Sequence, residues 1–511
     1  MYRFIPQKML IFAALFPVVA TANHSSYLPP VFTENKRLAK MQPLFPVIDK
    51  MYKKYAEKNH VPGYAYGIFL DGRLVHTGNG GYTDIAKKIP VTPQSMFRIA
   101  SMTKSFTAMA ILKLRDEGRL RLDDPASFYI PELKNLKLTQ DAAEITVRDL
   151  LTHSAGFPED NPWGDRNLSK TDEELVALVR QGIALSHVSG TSFEYSNLGY
   201  ALLGLIVKNV AGISYQDYIA ANIWKPLGME QAAWEFAQLR PNQLAHGYQW
   251  VNDHWQEEPL LHDGSYASMG GMIASIESFG HYVGLHQSAW PARDDPETGP
   301  IKRSSIREMH QPWRIYALNP KNRVYGRVCP SINAYGFGLR WSQDCNNTIA
   351  VGHTGGLPGF GSNWFIVPEY GLGVVLLTNV TYAAAEATNV RVINKLIKEA
   401  RLKPRELPPS QILKDRQKAL VKLLPEWSDA KKSGLFAGNF FLDSPVESLQ
   451  KKTQKLFAKA GRIRRISRII PENQLRGYFL LEGEKATLKV SFTLSPESTS
   501  LIQHFEIEEK T

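Results

Sequence analysis

Phe97-Arg98-Ile99-Ala100-Ser101-Met102-Thr103-Lys104-Ser105-Phe106 runs from a β-prone end into an amphipathic segment, Ser101 to Glu117. Apolar residues at Phe106, Met109, Ala110, Leu112 and Leu114 suit a helix with one buried face. Gly118 offers its stop. The spacing predicts Ser101 in the first helical turn and Lys104 one turn on, on the same face. A hydroxyl, an amine able to take or relay its proton, and a helix N-terminus that favours negative charge then meet. Read alone, the same residues describe a serine that caps a helix and a lysine on the surface. Ser-x-x-Lys is a short pattern, so the rest of the chain has to decide.

The totals describe a globular protein. At 511 residues and 43% apolar content the chain can hold one large domain or two to three ordinary ones. Arg3 and Lys8, the apolar run Met9 to Ala20 and the small-residue site Ala20-Thr21-Ala22 read as a secretory signal over residues 1–22, with a mature start near Asn23. A periplasmic or secreted location follows, and an uncleaved N-terminal anchor is the alternative. Cys329 and Cys345 can pair in an oxidising compartment; two unpaired buried thiols are the other reading. Net charge is +11, and the chain from Arg401 onward carries 21 basic against 13 acidic residues. Lys451-Lys452, Lys455, Lys459, Arg462, Arg464-Arg465 and Arg468 are the densest part, which suits either a solvated helix face or contact with an anionic envelope surface. No aromatic-interleaved basic module is present, and export argues against a nucleic-acid partner.

In chain order, Pro43 to Tyr55 reads as an amphipathic helix. Gly63 to Phe69 and Leu74 to Gly78 read as a hairpin turned by Asp71-Gly72. Thr146 to Gly156 opens a short helix; Asp172 to Arg180, Leu198 to Val210 and Tyr215 to Trp224 read as further helices. Sheet character returns at Tyr335 to Trp341, Ile349 to Gly352, Ser362 to Val367 and Gly373 to Thr378, and Asn389 to Ala400 reads as a helix. Strands at both ends with helices between them predict an α/β (α+β) fold, an antiparallel sheet flanked by helices with a helical subdomain. Pro404 to Pro409 marks a boundary. Residues 23–404 then form the main domain and 405–511 a small basic α+β unit.

Two more stretches carry polar residues that local structure does not require. Glu194-Tyr195-Ser196-Asn197-Leu198-Gly199-Tyr200 opens an apolar helix, where Asn197 could serve as a cap. Gly352-His353-Thr354-Gly355-Gly356-Leu357-Pro358-Gly359-Phe360 follows a β-type run and is rich in glycine, so a ligand's backbone can approach closely.

Ser-x-x-Lys, Tyr-x-Asn and His-Thr-Gly, in this order and at these separations, resemble the serine β-lactamase and penicillin-binding protein superfamily. The closer likeness is to its branch of class C β-lactamases, D-alanyl-D-alanine carboxypeptidases, D-aminopeptidases and related esterases. Leu150 to Gly156, Pro226-Leu227-Gly228-Met229 and Tyr335-Gly336-Phe337-Gly338 share the likeness, which covers roughly residues 40 to 400. It implies a β-lactamase/transpeptidase-like fold. Ser101 would be the nucleophile, Lys104 its proton acceptor or relay, and Tyr195 the acid or base that serves leaving group and water. Asn197, His353, Thr354 and Gly355 would bind substrate, and the backbone N–H groups of Ser101 and Gly356 would form an oxyanion hole.

The function implied is an exported serine hydrolase acting through an acyl-enzyme, D-alanyl-D-alanine carboxypeptidase-like or esterase-like, on a small-molecule or peptide acyl substrate such as a peptidoglycan-derived one. Class C-like β-lactamase activity is one alternative. A catalytically silent sensor that binds cell-wall peptides or β-lactams is another. Class C enzymes carry Lys where this chain has His353; a histidine there, charged only below about pH 6.5, is expected to set the preference for substrate charge. His153 reads as a structural hydrogen-bonder. His246, His254 and His262 lack acidic or Cys partners at a recognised spacing, so no metal and no cofactor is expected. No Gly-x-Ser-x-Gly elbow occurs.

Overall fold

The computed structural model describes residues 27–240 and 242–510. The expected leader, residues 1–22, lies outside the described residues. Two units are distinct, Pro30–Glu406 and Leu407–Thr511.

The first unit is built on nine antiparallel strands. They are β1 (Gly63–Leu70), β2 (Arg73–Asp84), β3 (Ile89–Pro90), β4 (Arg314–Asn319), β5 (Ser331–Tyr335), β6 (Arg340–Asp344), β7 (Ile349–Leu357), β8 (Phe360–Val367) and β9 (Leu372–Thr378), in the order β3-β2-β1-β9-β8-β7-β6-β5-β4. The Asp71-Gly72 turn has both residues at positive φ (52° and 80°), the conformation a two-residue hairpin requires. β1, β8 and β9 are buried at every position, because helices cover both faces. Side chains alternate between them: Val375 and Leu377 join one core, Val374 and Leu376 the other.

On the second of these faces lie helices α1 (Phe45–Lys58) and α7 (Glu386–Glu399). The first carries the helical part: α2 (Lys104–Asp116), α3 (Val147–Leu151), α4 (Asp172–Gln181), α5 (Asn197–Ala211) and α6 (Ile276–Ser288). Local signals start these helices where the sequence says they should. Thr146 with Asp149, and Thr171 with Glu174, form reciprocal capping boxes. Helix α5 is apolar almost all round because it is interior, packed on α2, α3 and the turn Ala267–Gly270.

One expected strand is not one. Tyr335 to Trp341 holds the end of β5, the turn Gly336-Phe337-Gly338-Leu339 and the start of β6. Gly338 takes φ +68°, and a Cβ there would lie 2.6 Å from the Lys104 carbonyl oxygen. The turn is thus pressed against the helix that begins at Lys104, which a reading of β-propensity does not register.

The second unit has α8 (Gln411–Leu423), α9 (Val446–Ala460) and strands β10 (Ile463–Ile466), β11 (Arg476–Gly483), β12 (Thr487–Leu494) and β13 (Ile502–Glu509) in that spatial order. Alternate residues Leu488, Val490, Phe492 and Leu494 are buried against the helices. Lys451, Lys452 and Lys455 lie exposed on one face of α9, and Arg462 and Arg468 are exposed after it. None of these five has a salt-bridge partner among the described residues, whereas Arg464 and Arg465 face Glu484 and Glu482.

Cys329 and Cys345 are joined by a disulfide that brackets the β5–β6 hairpin. A loop of this length stabilises by about 3 kcal/mol through the unfolded chain. Cys345→Ser should therefore lower the unfolding free energy by about that amount, read as a lower urea midpoint. An unmoved midpoint, with thiols that alkylate before reduction, would show the pair to be unbridged.

Candidate active site

Ser101 does not cap a helix. It sits in a tight 3-10 turn, Ala100–Thr103, that leads directly into α2. Ala100 is held at φ +52°, a left-handed conformation costly for any residue with a Cβ. The neighbours impose it. Ser362 Oγ donates to the Ile99 carbonyl at 2.8 Å, and a Cβ at Gly355 would lie 2.4 Å from that same oxygen. Only glycine lets strand β7 approach the nucleophile turn so closely.

One turn on, Lys104 is fully buried. Its Nζ lies 3.0 Å from Ser101 Oγ, 2.6 Å from Asn197 Oδ1 and 2.8 Å from the Met269 carbonyl oxygen. The last two atoms can only accept, so they hold two N–H bonds in either protonation state. In the neutral amine the remaining direction, a lone pair, points at Ser101. Burial pulls the Lys104 ammonium down to about 7, aided by Arg340; the Asp165 and Asp160 carboxylates oppose the shift.

Asn197 is the first residue of α5, but the cap is Ser196, whose Oγ accepts from the Gly199 N–H. The Asn197 amide is free for the site. Its Nδ2 donates to Asn161 Oδ1 (2.6 Å) and Asp165 Oδ1 (3.4 Å), which fixes Oδ1 toward Lys104. Asp160 accepts from the Asn197 and Leu198 N–H groups at 2.6 and 2.7 Å, a carboxylate at the positive end of a helix. Burial raises the Asp165 carboxyl above its ordinary range, against its bond with Tyr382 and the attraction of Lys104.

The Tyr195 ring centroid lies 4.9 Å from Lys104 Nζ, and its phenol faces Ser101. Burial is the largest influence on this phenol and lifts it well above 10, so Tyr195 is protonated at neutral pH. His153 backs the ring at 4.3 Å and accepts the Ser196 N–H through Nδ1. It is the structural hydrogen-bonder its segment suggests.

His353 lies on the same wall but cannot report substrate charge. Its Nδ1 donates to the Thr354 carbonyl (2.5 Å) and its Nε2 accepts from the Tyr335 hydroxyl (2.9 Å). The ring is 1% exposed, and burial, with Arg340 and Lys104 nearby, holds it neutral far below pH 6.5. The cation on this side is Arg340. Its guanidinium carbon is 5.8 Å from the Tyr195 ring centroid, and one Nη donates to the Tyr316 hydroxyl at 3.3 Å. It has no carboxylate partner among the described residues, and its Nε is buried without an acceptor. Arg340, Tyr316, Asn333 and Thr354 line a cavity of about 290 Å³.

Strand β6 pairs with β7 only as far as Arg340 opposite Gly352. Beyond that point the β6-side edge of β7, carrying His353 to Gly356, has no strand partner among the described residues. The expected oxyanion pair, Ser101 and Gly356, thus belongs to the nucleophile turn and to this open edge. Sequence reasoning missed Asp160, Asp165, Tyr382, Tyr335 and Arg340. The aspartates sit in a loop without periodicity, and Arg340 stands in a stretch that reads as a strand, with no signal for a site residue.

His246 pairs with Glu257 at 2.6 Å and His262 with Glu235 at 3.2 Å. No cluster of three metal-ligating residues occurs among the described residues.

Comparison with known proteins bears on the family and the fold. Protein flp of Staphylococcus aureus (strain N315) is 30% identical over 357 residues, which span 68% of this chain and 66% of that protein, just under two thirds of its length. The octameric penicillin-binding protein homologue from Pyrococcus abyssi superposes with a TM-score of 0.60 at 21% identity, over 91% of this chain and 95% of that one. The penicillin-binding protein from Bacillus halodurans gives 0.53 at 22%, over 67% and 98%. The two solved structures establish a common fold. The Beta-lactamase family model matches residues 48–396, and the chain belongs to that family.

Proposed function

We propose that this protein is a serine acyl hydrolase that works through an acyl-enzyme on Ser101. The observation that carries this reading is the arrangement around Lys104, a buried amine pulled down to about 7 with two fixed acceptors and its third direction on Ser101 Oγ. In the acylation step Ser101 Oγ bonds to the acyl carbon as its proton passes to Lys104 Nζ. The Tyr195 phenol, a weak acid here, protonates the leaving amine or alkoxide as the acyl–leaving-group bond breaks. Its proton is replaced from Lys104. A water then attacks the ester with the same groups acting in reverse, which frees the acid and Ser101. Backbone N–H groups of Ser101 and Gly356 stabilise the oxyanion; one such donor is worth about 3 kcal/mol.

Arg340 favours an acyl donor whose leaving part ends in a carboxylate. A half-buried guanidinium with no carboxylate in ion-pair contact among the described residues, beside the group that protonates the leaving atom, is a receptor for such an anion. This is the D-alanyl-D-alanine carboxypeptidase-like reading. Neutral esters can be cleaved by the same Ser101 chemistry without that anchor. A class C-like lactamase would use the same cation but must also hydrolyse its acyl-enzyme quickly. A non-catalytic binder has no use for a nucleophile whose amine is tuned near neutrality. We place the protein outside the cytoplasm, on the strength of residues 1–22, and take an anionic envelope surface as the partner of Lys451, Lys452 and Lys455.

Three outcomes are expected. A fluorescent penicillin or fluorophosphonate labels wild type and not Ser101→Ala; labelling of the variant would remove Ser101 from its role. The acylation rate falls about tenfold per unit as pH drops below about 7, because the lysine gains the proton it must be free to accept, and Lys104→Gln loses about 10²–10⁴-fold. A rate that stayed level down to pH 5 would exclude Lys104 as the base. Arg340→Ala loses about 10–100-fold on a D-Ala-D-Ala peptide and little on its C-terminal amide; equal losses would show that the guanidinium does not read the carboxylate.

A further inference from the structure

The cleft has two chemically different ends. Tyr195, His353 and Arg340 stand at one. Gly356 lies three residues further along β7, about 10 Å away. Over Gly356 sits Tyr382, from the loop after β9: a Cβ on Gly356 would meet its ring at 2.7 Å. The Tyr382 hydroxyl reaches across to the turn Gly164–Asn167 and donates to Asp165 Oδ2 at 2.9 Å. Asp165 is 1% exposed and is tied through Asn197 to Lys104. Tyr382 thus links the sheet side of the cleft to its helical side.

Two features make the link one that can open. Tyr382 is 45% exposed, so its ring has solvent to swing into. Its backbone is at φ +53°, in the left-handed region, although it carries a bulky aromatic side chain. Opening loses the hydrogen bond to Asp165, and movement of the loop backbone together with the ring would relax the left-handed strain at Tyr382.

We propose that Tyr382 is a specificity-determining latch over the acyl end of the cleft, held shut by Asp165. The inference rests on the acyl-enzyme reading, which puts the leaving group beside Tyr195 and therefore the acyl group beside Gly356. Short acyl groups fit beneath the latch. Long ones have to displace it, and the energy for that comes from their own binding.

The test uses full-length protein and p-nitrophenyl acetate against p-nitrophenyl decanoate. Tyr382→Phe keeps the ring on Gly356 and removes only the bond to Asp165; Tyr382→Ala removes both. The decanoate-to-acetate ratio of kcat/KM should rise about threefold in Tyr382→Phe and about tenfold or more in Tyr382→Ala, through KM for the long ester. Saturating fluorophosphonate labelling of Tyr382→Phe, to the same fraction as wild type, checks that the variant is folded. A ratio unchanged in both variants, with wild type still labelled and still cleaving acetate, overturns the latch and leaves the serine hydrolase reading standing. Wild type that is neither labelled nor active on either ester overturns both.

Discussion

Everything in the cleft depends on the burial of one amine. Lys104 meets oxygen atoms from three parts of the chain, two of them remote: its own nucleophile turn, the first residue of α5, and the Ala267–Gly270 turn. A lysine without water is a poor cation, and two buried aspartates keep it from being a wholly neutral one. The result lies near neutrality, where an amine of this kind exchanges a proton with least cost. The helix starts, the loop that carries Asp160 and Asp165, and the glycines of β7 all bring these groups to one place.

The strained Ala100 belongs to the same design. Its left-handed backbone turns Ser101 out of line with α2 and toward the open edge of β7. Strain of this kind persists only where packing overdetermines it. Gly355, Ser362 and the Ile99 carbonyl supply that packing.

Much of this was legible from the sequence, for reasons that differ by residue. The hairpin at Asp71-Gly72 and the helices after Thr146 and Thr171 carry their own turn and capping chemistry, so local reading suffices. Ser101, Lys104, Tyr195 and Asn197 are recognisable through spacing and family likeness. His353 shows the limit of such likeness. Its position matches a charged residue in related enzymes, yet Tyr335 and the Thr354 carbonyl occupy both ring nitrogens and burial keeps it neutral. The positive charge on this side is on Arg340, at the start of β6, just after a turn in a stretch that reads as one strand. Tertiary contact with Lys104, not propensity, shapes that segment.

The order of strands in the sheet also bears on synthesis. β1 and β2 emerge first, yet β1 is completed on its other side only by β9. Ser101 leaves the ribosome about 250 residues before Gly355 and Gly356, on the order of 12–50 seconds at 5–20 residues per second. Until then the serine has neither its oxyanion partner nor the wall that strains its turn. A nascent or truncated chain therefore carries Ser101 without the opposite wall of its cleft, and the site is complete only when the final central strand closes the sheet.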